Sequence, residues 1–250
     1  MSKNQLQKIS ILSVLPKGMN KRGGDYVSLK KRQINHLGKR SNIMHIVSIE
    51  DEDEELKENS VKFVKIRDKC SIEHAANLTT LMLDDRVKES DYIVFTDPDV
   101  LLTYNSLVDC IELLDKYDIV GIPYPSAHRN RHNNIIIRFA IVKTVDYFDR
   151  LNGSVANISE TGGTPLLYPE FGPGDMNRLK GLSICERDLK ERYKKVSDHF
   201  KADPRNNGYS DTGWMLPLLY KEEESLLIPE LERVDNKFKF KYDRIEIDHE

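Results

Sequence analysis

Cysteine, tryptophan and long apolar runs are all scarce in this chain of 250 residues. The three cysteines, Cys70, Cys110 and Cys185, stand far apart with no CxxC spacing. That excludes a zinc knuckle and a disulfide scaffold, and it suits a reducing compartment. No run is long enough to cross a bilayer: the polar start "MSKNQLQKIS" leads into "ISILSVLP", far short of a membrane span. No signal peptide is legible either, so the expected location is cytoplasmic, and the sequons at Asn77, Asn152 and Asn157 read as chance. Charge of one sign is missing as well. Lys and Arg number 38 against 41 Asp and Glu, the net charge is −3 and the pI is near 6.2. Without a basic field, nucleic acid is not an expected partner. Runs such as "SLKKRQINHLGKR" and "EDEDEELKE" read as solvated faces and loops.

What is present is a rhythm. Hydrophobic residues make up 39% and charged residues 32%, the balance of a globular domain with a solvated surface. "KISILSVL" (8–15) is strand-like and stops at Pro16-Lys17-Gly18, and "DYVSLKKRQINHLGK" places Val27, Leu29, Ile34 and Leu37 at helical spacing. "NIMHIVSIE" (42–50) and "VKFVKI" (61–66) read as strands, and residues 71–90 read as one helix opening at Ser71. "DYIVFT", "NSLVDCIELLDKY" and "DIVGIPYP" continue as strand, helix, strand, and "NNIIIRFAIVKTVDYFDRL" as strand then helix. Further on come a Gly- and Pro-rich loop (161–175), a charged helix in "ICERDLKERYKKVSDHF" and a terminal strand in "KFKFKYDRIEID". The alternation predicts an α/β fold with a mostly parallel sheet flanked by helices, and no linker divides it. Ligands of such sheets bind beyond the carboxyl ends of the strands. Pro16 to Gly18, Asp51, Asp97 and Asp99 all follow strands and are expected along one edge.

The stretch "DYIVFTDPDVLL" (91–102) carries the chemistry. Two carboxylates one residue apart at a buried strand end repel each other and resist desolvation, which calls for a cation. Three readings compete. Asp97-Pro98-Asp99 forms a turn, with Asp99 capping the helix that begins near Asn105. Alternatively, Asp97 is a phosphoryl nucleophile of the haloacid-dehalogenase type, against which stand Leu101 at the fifth position of that motif and the absence of a GDxxxD downstream. In the third, Asp97 and Asp99 hold Mn²⁺ or Mg²⁺, which grips a diphosphate.

The run "HAANLTTLMLDDRVKESDYIVFTDPDVLL" resembles the segment of GT-A glycosyltransferases in which an Asn-bearing helix leads into a strand ending in DxD. "ISILSVLPKG" and "IVSIED" precede it in the order that family uses, so the resemblance covers about residues 8–125. It implies a single GT-A type, Rossmann-like domain over 1–250, with a nucleotide-sugar half (8–125) and an acceptor half (126–250). Carried over, Pro16, Lys17, Asp51, Asn77 and Asp97 hold a nucleotide-sugar, expected to be UDP-linked, while Asp97 and Asp99 bind the metal. Arg22 and Lys21 in the first loop are candidates for the phosphates, with solvated loop charges as the alternative. In "GYSDTGWMLP", Asp211 matches the base that activates the acceptor hydroxyl of a carbohydrate in inverting enzymes; a helix N-cap is the alternative. Trp214 is either a face for the acceptor sugar or a core residue. His249 stands where some members complete the metal shell. The loop at 161–175 is expected to close over the donor. Competing functions are a sugar nucleotidyltransferase, suggested by "LPKGMNKRGGDY", and a non-catalytic carbohydrate-binding scaffold of the same fold.

Overall fold

The computed structural model describes residues 7–18, 24–63, 74, 77–78, 80–82, 84–123, 135–151, 219–234 and 237–249. Its centre is a seven-stranded mixed sheet in the order β3-β2-β1-β4-β7-β6-β8. The strands are β1 (Ile9–Leu15), β2 (Ile43–Ile49), β3 (Ser60–Lys62), β4 (Tyr92–Thr96), β6 (Ile119–Pro123), β7 (Ile135–Lys143) and β8 (Ser225–Leu227). β3, β2, β1 and β4 run parallel; β7 opposes both β4 and β6, and β8 is again parallel to β6. The expected mostly parallel α/β sheet is therefore present. Every residue of β1 and β4 is buried, as expected of central strands covered on both faces.

Four helices are bounded within the described residues: α1 (Tyr26–Leu37), α2 (Asp85–Lys88), α3 (Tyr104–Leu113) and α4 (Thr144–Leu151). α1 is stopped at both ends by local chemistry. The Asp25 carboxylate accepts from the Ser28 amide at 2.8 Å, and Gly38, at φ 74°, turns its own N–H back to the carbonyls of Ile34 and Asn35. The residues of α1 that are buried are Lys30, Gln33 and Leu37. Val27 and Ile34, from the expected apolar stripe, are only partly buried and pack beside Leu15, Val47 and Leu56.

Three expectations need correction. The single helix at 71–90 is interrupted: Asp84 takes extended backbone (φ −64°, ψ 130°) and its side chain caps a separate α2. Here the capping preference of aspartate outweighs the helical spacing of the apolar residues. Ser71, the expected cap, lies outside the described residues, as do 64–66 of the strand expected at 61–66. "KFKFKYDRIEID" is not one strand but a hairpin of β10 (Lys237–Tyr242) and β11 (Ile245–His249). Asp243, at φ 51°, makes its turn, a conformation aspartate tolerates better than most residues. Third, the α3 cap is Thr103, whose hydroxyl accepts from the Ser106 amide at 3.1 Å, and not Asp99.

The hairpin belongs to a second, antiparallel sheet in the order β5-β11-β10-β9, with β5 at Val100–Leu102 and β9 at Glu230–Val234. Burial alternates along β10 and β11, so Phe238, Phe240, Ile245 and Ile247 face inward. They join Val94, Val100, Leu102, Leu107, Cys110, Phe139 and Ile141 in one apolar core. At about 1.5–3 kcal/mol per fully buried large side chain, these four inward residues hold the small sheet firmly against the large one. The chain passes from the large sheet to the small one at Asp97-Pro98-Asp99, between β4 and β5.

Candidate metal and ligand site

Proline explains the crossing. The Asp97 amide makes a last bond to the Arg138 carbonyl across from β4 (2.9 Å), and Pro98, with no N–H, cannot continue the ladder. The Val100 amide then bonds the Asp97 carbonyl at 3.2 Å, closing a four-residue turn, so the turn reading describes the backbone correctly. β5 leaves that turn to pair with β11, placing Leu102 opposite Ile247, Leu101 opposite Asp248 and Val100 opposite His249. The register carries His249 back to the turn that holds both carboxylates. One donor atom from each of Asp97, Asp99 and His249 lies within 4.8 Å of the others. His249 is buried at 3% exposure, and its Nε2 is 3.6 Å from Asp99 Oδ1.

Donors on a common ion at about 2.1 Å stand about 3.0 Å apart when cis and about 4.2 Å when trans, so the three would have to draw together to share an ion. Two carboxylate oxygens and an imidazole nitrogen are suitable donors for a divalent ion. A guanidinium shares the site. Arg138 Nε is 3.9 Å from Asp97 Oδ2, and both side chains are about a quarter exposed, at 27% each.

The parallel order of β2, β1 and β4 puts the loops after these strands along one edge of the sheet. Pro16 and Lys17 follow β1, and Asp51 follows β2. The Lys17 amide donates to Glu50 Oε2 at 2.8 Å, and its ammonium meets Asp51 Oδ1 at 3.2 Å. Lys17 and Asp51 are 68% and 53% exposed, so this pair is solvated and adds little stability. Asn77 is fully buried and accepts a hydrogen bond from the hydroxyl of Ser48, next to the last residue of β2. Arg22, Asp211, Trp214 and the loop 161–175 lie outside the described residues.

Three site residues escape the sequence reading: Arg138, Gln33 and Lys30. Arg138 is the one charge in the apolar run "NNIIIRFAIV", a signal that had been available. Gln33 and Lys30 are fully buried under the turn. Gln33 Nε2 donates to the carbonyls of Val100 (2.6 Å) and Asp97 (3.0 Å), with Thr96 Oγ1 at 3.3 Å. Lys30 Nζ donates to Gln33 Oε1 at 2.7 Å and to Ser13 Oγ at 2.9 Å, and the Ser13 hydroxyl donates to the Thr96 carbonyl at 2.9 Å. Burial pushes the Lys30 ammonium down from 10.5 to about 7. His45, on the neighbouring strand, is held well below its ordinary value by burial and then by the Lys30 charge, so it stays neutral. Polar residues inside otherwise apolar strands, Ser13 and Thr96, were the sequence trace of this network.

The chain matches no protein-family model and no curated protein. Among the described residues, no helix is long and apolar enough to cross a membrane.

Proposed function

We propose that the protein is a metal-dependent glycosyltransferase of GT-A type that takes a nucleotide-sugar, expected to be UDP-linked, and transfers the sugar to a carbohydrate hydroxyl. The observation that carries this reading is the convergence of His249 with Asp97 and Asp99 at a sheet edge. A helix cap or a turn alone gives no reason for the last strand to bring a buried imidazole to that point. Asp97, Asp99 and His249 would hold the ion, which when bound neutralises charge on a departing diphosphate. Of Mn²⁺ and Mg²⁺, the imidazole favours Mn²⁺, since Mg²⁺ keeps to carboxylates, phosphates and water.

Arg138 adds a fixed positive charge. With a divalent ion opposite two carboxylates, the site retains the guanidinium's +1, which suits an anionic ligand and a planar phosphate contact. Pro16, Lys17 and Asp51 border the same edge and are the proposed contacts of the nucleoside. Asp211 as base and Trp214 as acceptor face complete the reading from the sequence.

The test is a panel of nucleotide-sugars screened for Mn²⁺-dependent hydrolysis, which needs no known acceptor. Hydrolysis of one donor, abolished by chelator, is the expected result. Pyrophosphate release from a sugar 1-phosphate and an NTP would point to a nucleotidyltransferase instead. Calorimetry showing no Mn²⁺-dependent binding of UDP would leave the scaffold reading.

A further inference from the structure

A fully buried lysine with a fully buried glutamine three residues later is costly, because both must be desolvated and fully hydrogen-bonded. Here they lie directly under the turn that presents the two carboxylates. The geometry points to Gln33, oriented by Lys30, as the positioning residue that sets the metal-binding geometry of Asp97 and Asp99. This inference rests on the metal reading above.

Gln33 clasps the turn from both sides. Its one amide nitrogen donates to the Asp97 carbonyl, before Pro98, and to the Val100 carbonyl, after Asp99. The backbone on either side of Asp99 is thereby fixed from below. Val100 is also the residue opposite His249 in the β5–β11 ladder, so the same clasp fixes the strand that carries the third donor. An amide group can turn over, and turned over it would direct an oxygen at two carbonyl oxygens. Lys30 prevents this. Its Nζ donates to Oε1, which leaves Nε2 for the turn. Ser13 and Thr96 anchor the lysine and the end of β4 in turn. Groups that hold metal ligands in place in this way commonly change affinity by about 10–100-fold when removed.

The test compares Mn²⁺ affinity with melting temperature in the metal-free protein, using Mn²⁺ electron paramagnetic resonance and thermal unfolding. Gln33→Met keeps length and apolar volume and removes both donors. It is expected to weaken Mn²⁺ about tenfold. Lys30→Met leaves the amide free to turn over and is expected to weaken Mn²⁺ in the same direction by a smaller factor. Ile46→Val, a core change on β2 away from the turn, serves as the control: a lowered melting temperature with unchanged Mn²⁺ affinity. A purely structural Gln33 would behave as Ile46 does. Unchanged Mn²⁺ affinity in Gln33→Met overturns the inference while the metal reading stands. If that variant does not fold, unchanged affinity in Lys30→Met overturns it equally. No Mn²⁺ binding by the unaltered protein removes the metal reading, and the inference with it.

Discussion

Two clusters of acids in this fold differ in how closely the cations described beside them approach. Around Arg150, on α4, three carboxylates close on one guanidinium. Asp118 meets it at 2.6 Å, Asp146 at 3.0 Å and Glu224 at 3.1 Å, the Leu219 carbonyl accepts at 2.7 Å, and the ring of Tyr220 stacks at 4.5 Å. At the β4–β5 turn, Asp97 and Asp99 meet Arg138 and His249 at 3.9 and 3.6 Å, beyond good hydrogen-bond length. The first arrangement joins α4, β6 and the segment before β8 with short charge-assisted bonds. It is a staple. The second holds its donors near a common centre at the edge where ligands of such sheets bind.

The sharpest way to break that contrast is to remove one member from each cluster. Asp99→Asn is expected to weaken Mn²⁺ binding by more than about 100-fold, beyond the usual range for groups outside the ligand shell. Its melting temperature should hold or rise, because two like charges are no longer adjacent. Arg150→Met should do the reverse. It leaves three partly buried carboxylates without their shared cation, at a cost of roughly 2–4 kcal/mol, discounted for the 45% exposure of Asp118. Mn²⁺ affinity should not move. Denaturant unfolding and Mn²⁺ titration on both variants check this, and a metal effect at Arg150 or a large stability loss at Asp99 would erase the distinction.

The fold was legible where local pattern and burial agree. β1, β2 and β4 announce themselves as short apolar runs ended by Pro, Asp or Gly, and the strand–helix alternation implies a parallel sheet. The turn at Pro98 and the two carboxylates were likewise readable, because Asp-Pro-Asp after an apolar run has few other meanings. Three things were not. Asp84 looks like any charged helix residue until its backbone leaves the helix. The Asp243 turn lacks the glycine or asparagine that usually signals a hairpin. The base of the site was hidden because Lys30 and Gln33 look like solvent-facing positions on an amphipathic helix, and only tertiary contact with Ser13 and Thr96 reverses their sides. His249 was locatable as a candidate, but its pairing with Val100 is a long-range fact that no local pattern encodes.

Lys30 offers a way to sharpen the comparison through pH, because unlike Arg150 it is buried with neutral partners in Ser13 and Gln33. Its folded value, about 7, lies below the ordinary 10.5. Between these values the unfolded chain holds the proton and the folded chain does not, so stability rises with pH across that window. The penalty from Lys30 is complete below about pH 7 and gone above 10.5. Lys30→Met carries no such penalty. The stability of this variant relative to the unaltered protein should therefore fall as pH rises, by about 2 kcal/mol between about pH 7.5 and about 9.5. Neutral His45 beside it does not titrate in that range. Denaturant midpoints across the window measure the difference; a flat difference would mean that Lys30 keeps its ordinary value and that the buried network is wetter than its geometry implies.

The smallest effect concerns Arg138, whose Nε lies 3.9 Å from Asp97 Oδ2. In the absence of metal the guanidinium offsets part of the charge on Asp97, and a divalent ion competes with it for that carboxylate. Arg138→Gln should therefore strengthen Mn²⁺ binding slightly, by about threefold, the value of a partly exposed pair at this distance. The same change should weaken Mn²⁺-dependent binding of a nucleoside diphosphate by about fivefold to tenfold, since a charge-assisted phosphate contact is worth roughly 1–1.5 kcal/mol where water still reaches it. The two changes have opposite signs, which a general loss of fold cannot produce. Arg138→Lys separates the roles further: it keeps the charge, so metal affinity should return toward that of the unaltered protein, while the loss of the planar fork leaves diphosphate binding reduced. Calorimetry with Mn²⁺ alone and then with UDP present reads both. If Arg138→Gln lowered metal affinity, the arginine would be holding Asp97 in place rather than competing for it, as Arg150 holds its carboxylates.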